Sequence, residues 1–236
     1  MPERFALYYA PDTESPLWRL AVHWLGRDPA ASAIESPDLP GIDTGYRLRV
    51  SESARRYGFH ATIKAPMVLA PCRERRDLAA ALDGFGARTA STAIGRLVLT
   101  FIDGFLALVP AHQSAELTSA AAEVVGEFEP FRAPLAPADR ERRIRSGSLT
   151  SRQVDLLDAY GYPHVMEEFR FHMTLTDRLP ENERDAVMRA ATAWFAPALD
   201  EDVVFDRIAL YREPVAGAPF ARVADFRLRG GRPCLN

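Results

Sequence analysis

The chain has 236 residues, 47% of them apolar and 26% charged, with a formal charge of −3 and a pI near 6.0. That length suits one large domain or two small lobes with ample material for a core. The slightly acidic balance argues against sequence-independent binding to long nucleic acid or an anionic membrane, and no stretch reaches the ~20 apolar residues of a membrane span.

From the N-terminus, RFALYYA (residues 4–10) predicts a strand stopped by Pro11. SPLWRLAVHWLG (15–26) predicts a helix, with Ser15 as cap, Pro16 in the first turn and Gly26 past the end. Residues 27–50, rich in Pro, Asp, Ser and Gly, predict loop. A strand is expected over 58–64, a break at Pro66, and a helix over about 74–88. The segment 94–110 holds two apolar runs around Asp103-Gly104, a hairpin signal. A helix should follow over about 113–128. Residues 129–149 carry three prolines and the basic run RERRIR (140–145). The next helix opens on a capping box from Thr150 to Gln153 and closes at Gly161. The remaining elements are a strand at 169–176, a helix at 181–196, and strands at 203–214 and 221–230. Hairpin-like links between strands favour an α+β fold over a doubly wound sheet.

One phrase occurs twice. Phe59-His60-Ala61-Thr62-Ile63 and Phe171-His172-Met173-Thr174-Leu175 match in kind, 112 positions apart. In a strand, alternate residues share a face. His60, Thr62 and Lys64 would then share one face, and His172, Thr174 and Thr176 the corresponding face of the second copy. The intervening residues are apolar and suited to packing. A third match, His112-Gln113-Ser114, follows Pro110 and opens a helical run, so capping explains it.

In-line attack on a phosphodiester needs a base on one side of phosphorus and an acid on the other. Histidine can fill both roles near neutral pH. The threonines would donate hydrogen bonds to non-bridging oxygens, and Lys64 would add positive charge. Two other readings use the same residues: histidines satisfied by backbone partners, or two histidines and a carboxylate holding zinc. The sequence offers no HExxH and no third ligand close by.

HATI (60–63) and HMTL (172–175) resemble the paired His-x-Thr signatures of the two-histidine (2H) phosphoesterase superfamily, which includes RNA 2′,3′-cyclic phosphodiesterases. RFALYYAP, PLWRLAVHWLGRD, RRYGFHATIKAP, LTSRQVDLLDAYGYPHVMEEFRFHMTLT and FDRIALYREP further resemble its DUF1045 branch, associated with phosphonate metabolism. The resemblance covers almost the whole chain. It implies a single bilobal α+β domain over 1–236, with two pseudo-symmetric antiparallel sheets forming a groove and helices on the outer faces. Residues 129–168 would then be an inserted loop-helix segment.

The same resemblance implies metal-independent, cofactor-free chemistry on a small cyclic phosphodiester. His60 and His172 would be the catalytic pair, unassigned as base and acid, and Thr62 and Thr174 would hold the phosphate. A phosphoribosyl cyclic phosphate is the expected kind of substrate. The alternatives are an RNA-end 2′,3′-cyclic phosphodiesterase and a module that binds cyclic phosphates without turnover.

Strand phase adds Tyr8 and Tyr211, each beside alanines, as groove-lining candidates. Arg140 or Arg143 of the basic run could descend on a second phosphate, and Arg56 is a weaker candidate. His23 and His164 read as structural or loop residues. Cys72 and Cys234 lack metal spacing, and the N-terminus lacks a signal-like apolar run, so reduced thiols in a cytoplasmic protein are expected. Nothing in the sequence sets the oligomeric state.

Overall fold

The computed structural model describes residues 2–31, 34, 37–146 and 149–231; Cys234 lies outside these residues, and Cys72 is an exposed free thiol. The fold is α+β. Its main sheet has seven strands, with neighbours in the sheet paired antiparallel throughout. In spatial order these are β4 (Leu97–Ile102), β5 (Phe105–Pro110), β6 (Met173–Arg178), β2 (Ala61–Met67), β1 (Arg4–Tyr9), β8 (Arg207–Glu213) and β9 (Ala221–Arg227). A small second sheet pairs β3 (Thr92–Gly95) with β7 (Val203–Phe205). The segment 203–214, expected as one strand, is therefore split between the two sheets at Asp206.

The two sheets expected from the repeated phrase are halves of one. They meet where β2 and β6 share a single registered pair, Ala61 opposite Met173. Helices α4 (Arg75–Arg88) and α5 (Ala115–Glu127) pack on the β2–β1–β8–β9 half. Helices α1 (Pro16–Leu25) and α8 (Glu181–Leu199) pack on each other and on β6 and β4. The core is continuous across the junction: Trp24 buries its ring beside Phe195 and donates Nε1–H to the Leu175 carbonyl at 3.0 Å.

Local chemistry explains most boundaries. Ser15 Oγ accepts from Trp18 N at 3.1 Å, and Gly26 closes α1 in the left-handed region. Asp103 and Gly104 both take positive φ, 48° and 92°, which a two-residue hairpin between β4 and β5 requires. The stretch read as loop over 27–50 instead holds α2 (Thr44–Arg49), capped by Asp43, and is followed by α3 (Glu52–Tyr57). A buried tie stabilises α2: the Arg47 guanidinium donates to the His23 and Trp24 carbonyls at the end of α1. Asp177 accepts from Ser53 N and Ala54 N at 3.1 and 3.4 Å, anchoring the start of α3 to β6. Pro66 does not break its strand; β2 runs on to Met67.

Candidate active site

The two histidines are held in the same way. His60 Nδ1 lies 2.8 Å from the Gly58 carbonyl, and His172 Nδ1 lies 2.7 Å from the Arg170 carbonyl. A carbonyl can only accept, so each Nδ1 carries the proton and each neutral ring presents an Nε2 lone pair. Gly58 makes this possible in the first copy. It sits at φ 80°, and a Cβ there would lie 2.6 Å from Pro29 Cγ. His60 Nε2 is 3.1 Å from Thr62 Oγ1, which donates to it.

The Ala61–Met173 pair acts as a local pseudo-twofold axis. Continued one residue to each side, an antiparallel register through it would set His60 opposite Thr174 and Thr62 opposite His172. A cavity of about 280 Å³ opens on this face. His60, Thr62, Thr174, Tyr8, Tyr57 and Arg143 are among its lining. His172 does not line that cavity. It is partly exposed, with its ring beside Phe105 at 5.7 Å, and its charge contributes to lowering the His60 pKa.

Burial is the main electrostatic force on both rings. It pushes His60 down to about 4 against the opposing hydrogen bond to Gly58, with His172 adding a smaller push in the same direction. His172 is lowered by burial too, opposed by its bond to Arg170. Both are therefore neutral at pH 7 in the free protein, and an anion placed between them would raise both.

Tyr8 lines the same cavity. Its ring is fully buried and stacks on His60, and its hydroxyl has no hydrogen-bond partner among the described residues. Burial raises its pKa well above the usual phenol value, so it is a donor at any working pH. Opposite it in the β1–β8 register is Ala209.

Four of the expected contacts are placed elsewhere. Lys64 was expected on the His60 face. Two register shifts between β1 and β2 rotate it so that it pairs with Leu7, while Thr62 pairs with Tyr8. Its ammonium is buried, donating to the Val125 carbonyl at 3.1 Å and Glu129 at 2.7 Å; Ala65 takes its place in the cavity wall. Thr176 is also buried. Its hydroxyl accepts from Leu106 N at 2.9 Å, filling an irregularity between β5 and β6. Arg56 turns to Glu213 and the Ala218 carbonyl. Tyr211 shares the Tyr8 face, with ring centroids 4.9 Å apart, but donates its hydroxyl to the Phe59 carbonyl at 3.3 Å.

One positioning residue has no signature in the repeated phrase. Gln113 Nε2 donates to the Phe169 carbonyl, and its Oε1 accepts from Phe171 N, at 2.9 and 2.8 Å. The side chain thus pairs with the backbone just before His172 as a strand would. Its neighbour Ser114 caps α5, as the sequence suggests.

A family model described as "Protein of unknown function (DUF1045)" matches residues 62–221, more than half of the chain. The chain belongs to the DUF1045 family. Curated relatives include two proteins named "Ribose 1,5-bisphosphate phosphokinase PhnN". The one from Janthinobacterium sp. (strain Marseille) is 35% identical over 222 residues, covering 92% of this chain and 49% of that protein. The one from Laribacter hongkongensis (strain HLHK9) is 35% identical over 218 residues, covering 92% and 50%. The chain thus spans about half the length of these relatives. Low-scoring structural likenesses include "Crystal structure of phosphoesterase" (TM-score 0.40, 13% identity, 96% and 99% coverage). "Crystal structure of E.coli LigT complexed with 3'-AMP" is another, with TM-score 0.42, 11% identity and 97% and 99% coverage. Among the described residues no helix is long and apolar enough to cross a membrane, and no three potential metal ligands gather.

Proposed function

We propose that this DUF1045 protein hydrolyses a small cyclic phosphodiester, with His60 as general base and His172 as general acid. The observation that carries the reading is the matched pair of imidazoles. Each is fixed by Nδ1–H to the carbonyl two residues back, and each is followed by a threonine on strands that meet at Ala61–Met173.

The deeper ring, depressed to about 4, suits the base. His60 Nε2 takes a proton from water, and the oxygen of that water bonds to phosphorus. The ester P–O bond opposite breaks, and His172 Nε2–H gives its proton to the departing oxygen. The product is a monoester, and solvent restores the two protonation states. Thr62 and Thr174 donate to non-bridging oxygens, and the buried Tyr8 hydroxyl adds a third donor.

The relatives' name refers to a kinase acting on ribose 1,5-bisphosphate. Lys64 is the single lysine of this chain, and no Gly-x-x-x-x-Gly-Lys phosphate loop is present in its sequence. The kinase name is accordingly read as belonging to the part of those proteins outside this match. The shared substrate theme, a ribose phosphate, fits a cyclic ribose phosphate for this half.

The test is turnover of a panel of nucleoside 2′,3′-cyclic and ribose 1,2-cyclic phosphates, followed by phosphorus NMR with and without chelator. Hydrolysis that survives chelator and is lost in both His60→Ala and His172→Ala supports the reading. Tight binding without turnover favours a binding module, and activity restored by zinc after chelation favours metal chemistry.

A further inference from the structure

A second cavity, of about 210 Å³, adjoins the histidine site. The two share four wall residues: Arg4, Ala65, Pro66 and Arg143. Beyond that shared wall the second cavity adds Arg132, Arg142 and Asp139, beneath α6 (Pro137–Ser146). Four guanidinium groups thus face it against one carboxylate.

Their commitments differ. Arg132 is spent on Glu129 and the Ala133 and Ala159 carbonyls, so it is fixed wall. Arg4 gives its Nε to Glu213, which is fully buried. Arg142 pairs with Asp139 one turn back at 2.6 Å, and that carboxylate is the cavity's own. Arg143 stands between the two cavities with its guanidinium carbon 5.8 Å from the Tyr162 ring centre. Burial lowers its pKa; Arg142 and Arg4 add to that, while Tyr162 and Asp139 oppose it. Arg140 is not part of this site: it holds Asp158 of α7 (Ser151–Tyr160) with two bonds of 2.6 and 2.8 Å, which pins α6 in place.

We propose that this cavity binds a second phosphoryl group, so that the substrate carries a terminal phosphate as well as the cyclic ester held by the histidines. The inference rests on the proposed phosphodiesterase reading and specifies its substrate class. One guanidinium recognises phosphate through two parallel N–H···O bonds, and a dianionic terminal phosphate matches the four guanidinium groups that line this cavity. Sharing Arg143 between the cavities lets one side chain hold the linker between the two phosphorus atoms.

Binding tests it without relying on turnover. In His60→Ala protein, calorimetry compares ribose 1,2-cyclic phosphate with and without a 5-phosphate. The 5-phosphorylated ester should bind about 10- to 100-fold more tightly, the factor one or two charge-assisted hydrogen bonds supply. In the His60→Ala background the double change Arg142→Gln, Arg143→Gln should bring the two affinities together. Circular dichroism and thermal melting identify a misfolded variant, in which case Arg142→Gln alone, at a residue outside the histidine cavity, should narrow the gap. Equal affinities with all arginines intact overturn the proposal, as does a preference that persists in folded double variant. A preference for the 5-phosphate with no hydrolysis of either ester by the unmodified protein sinks the hydrolase reading and leaves the second site standing.

Discussion

The ring of Tyr8 lies against the imidazole of His60, 3.8 Å between centroids and 23° from parallel. The contact explains why a fully buried phenol belongs at this point of β1: it forms one wall of the imidazole's slot and, as part of the cavity lining, carries a hydroxyl with no hydrogen-bond partner among the described residues. Those two roles separate by substitution. Tyr8→Phe keeps the stack and removes the donor; it should lower kcat/KM about 10- to 100-fold, the worth of a hydrogen bond to a charged group. Stability should hold or improve slightly, since a buried hydroxyl with no protein partner is lost. Tyr8→Ala removes both and should also lower the melting temperature. Equal activity of Tyr8→Phe and unmodified protein would exclude the hydroxyl from the reaction.

The paired histidines set a pH dependence with a definite sign. The base must be neutral, so the acidic limb follows His60 and falls near pH 4. The acid must be protonated, and His172 is itself depressed below the ordinary 6.5, so the basic limb of kcat/KM lies below that value. The free enzyme should therefore show a bell with an acidic optimum. The kcat profile should extend to higher pH, because a bound anion raises His172. An optimum of kcat/KM above pH 8 would mean that neither depressed imidazole serves as the acid.

Linkage gives the matching stability effect. His60 is depressed in the fold, so the unfolded chain binds the extra proton first as pH falls. The contribution of neutral His60 is fully present above 6.5 and is lost as pH drops from there toward about 4. Melting temperature should fall across that window, and His60→Gln should flatten the fall relative to unmodified protein. Identical slopes would mean that His60 is less buried in solution than its geometry indicates.

Much of this arrangement was legible in residue order. The Asp103-Gly104 turn, the Ser15 and Thr150 caps and the His-x-Thr repeats follow from local rules, and strand alternation puts Tyr8 and Tyr211 on one face, where their rings meet. What failed was the extension of alternation along β2. Strand phase carries His60 to Thr62 correctly, but a bulge is a property of the partner strand, and it turns Lys64 away. Thr176 fails for the same reason at the irregularity between β5 and β6. Gln113 and Arg47 bond across 56 and 24 positions, and no local pattern announces such contacts.

Lys64 now predicts a stability effect in place of a catalytic one. Its ammonium is 2% exposed and answers Glu129, which also holds Arg132. Lys64→Met keeps the stem and leaves Glu129 with one cation. Because that carboxylate is partly exposed and still paired, the loss should be about 1–3 kcal/mol, well short of orphaning a buried charge. Chemical denaturation reads this directly, while kcat/KM should be unchanged. A selective loss of kcat in a stably folded Lys64→Met protein would return the ammonium to the site.

Gln113 offers the sharpest separation of positioning from chemistry. It touches neither cavity, yet both ends of its amide hold the backbone that carries His172. Removing it frees the Arg170 carbonyl to shift, and with it the Nδ1 bond that fixes the His172 tautomer. Gln113→Ala should lower kcat more than it raises KM, and it should displace the basic limb of the pH profile while leaving the His60 limb in place. Gln113→Glu retains the acceptor for Phe171 N but loses the donor to Phe169, so it should recover part of the rate. A uniform loss of active protein, with both limbs unmoved and no difference between Ala and Glu, would reduce Gln113 to a strut of the fold.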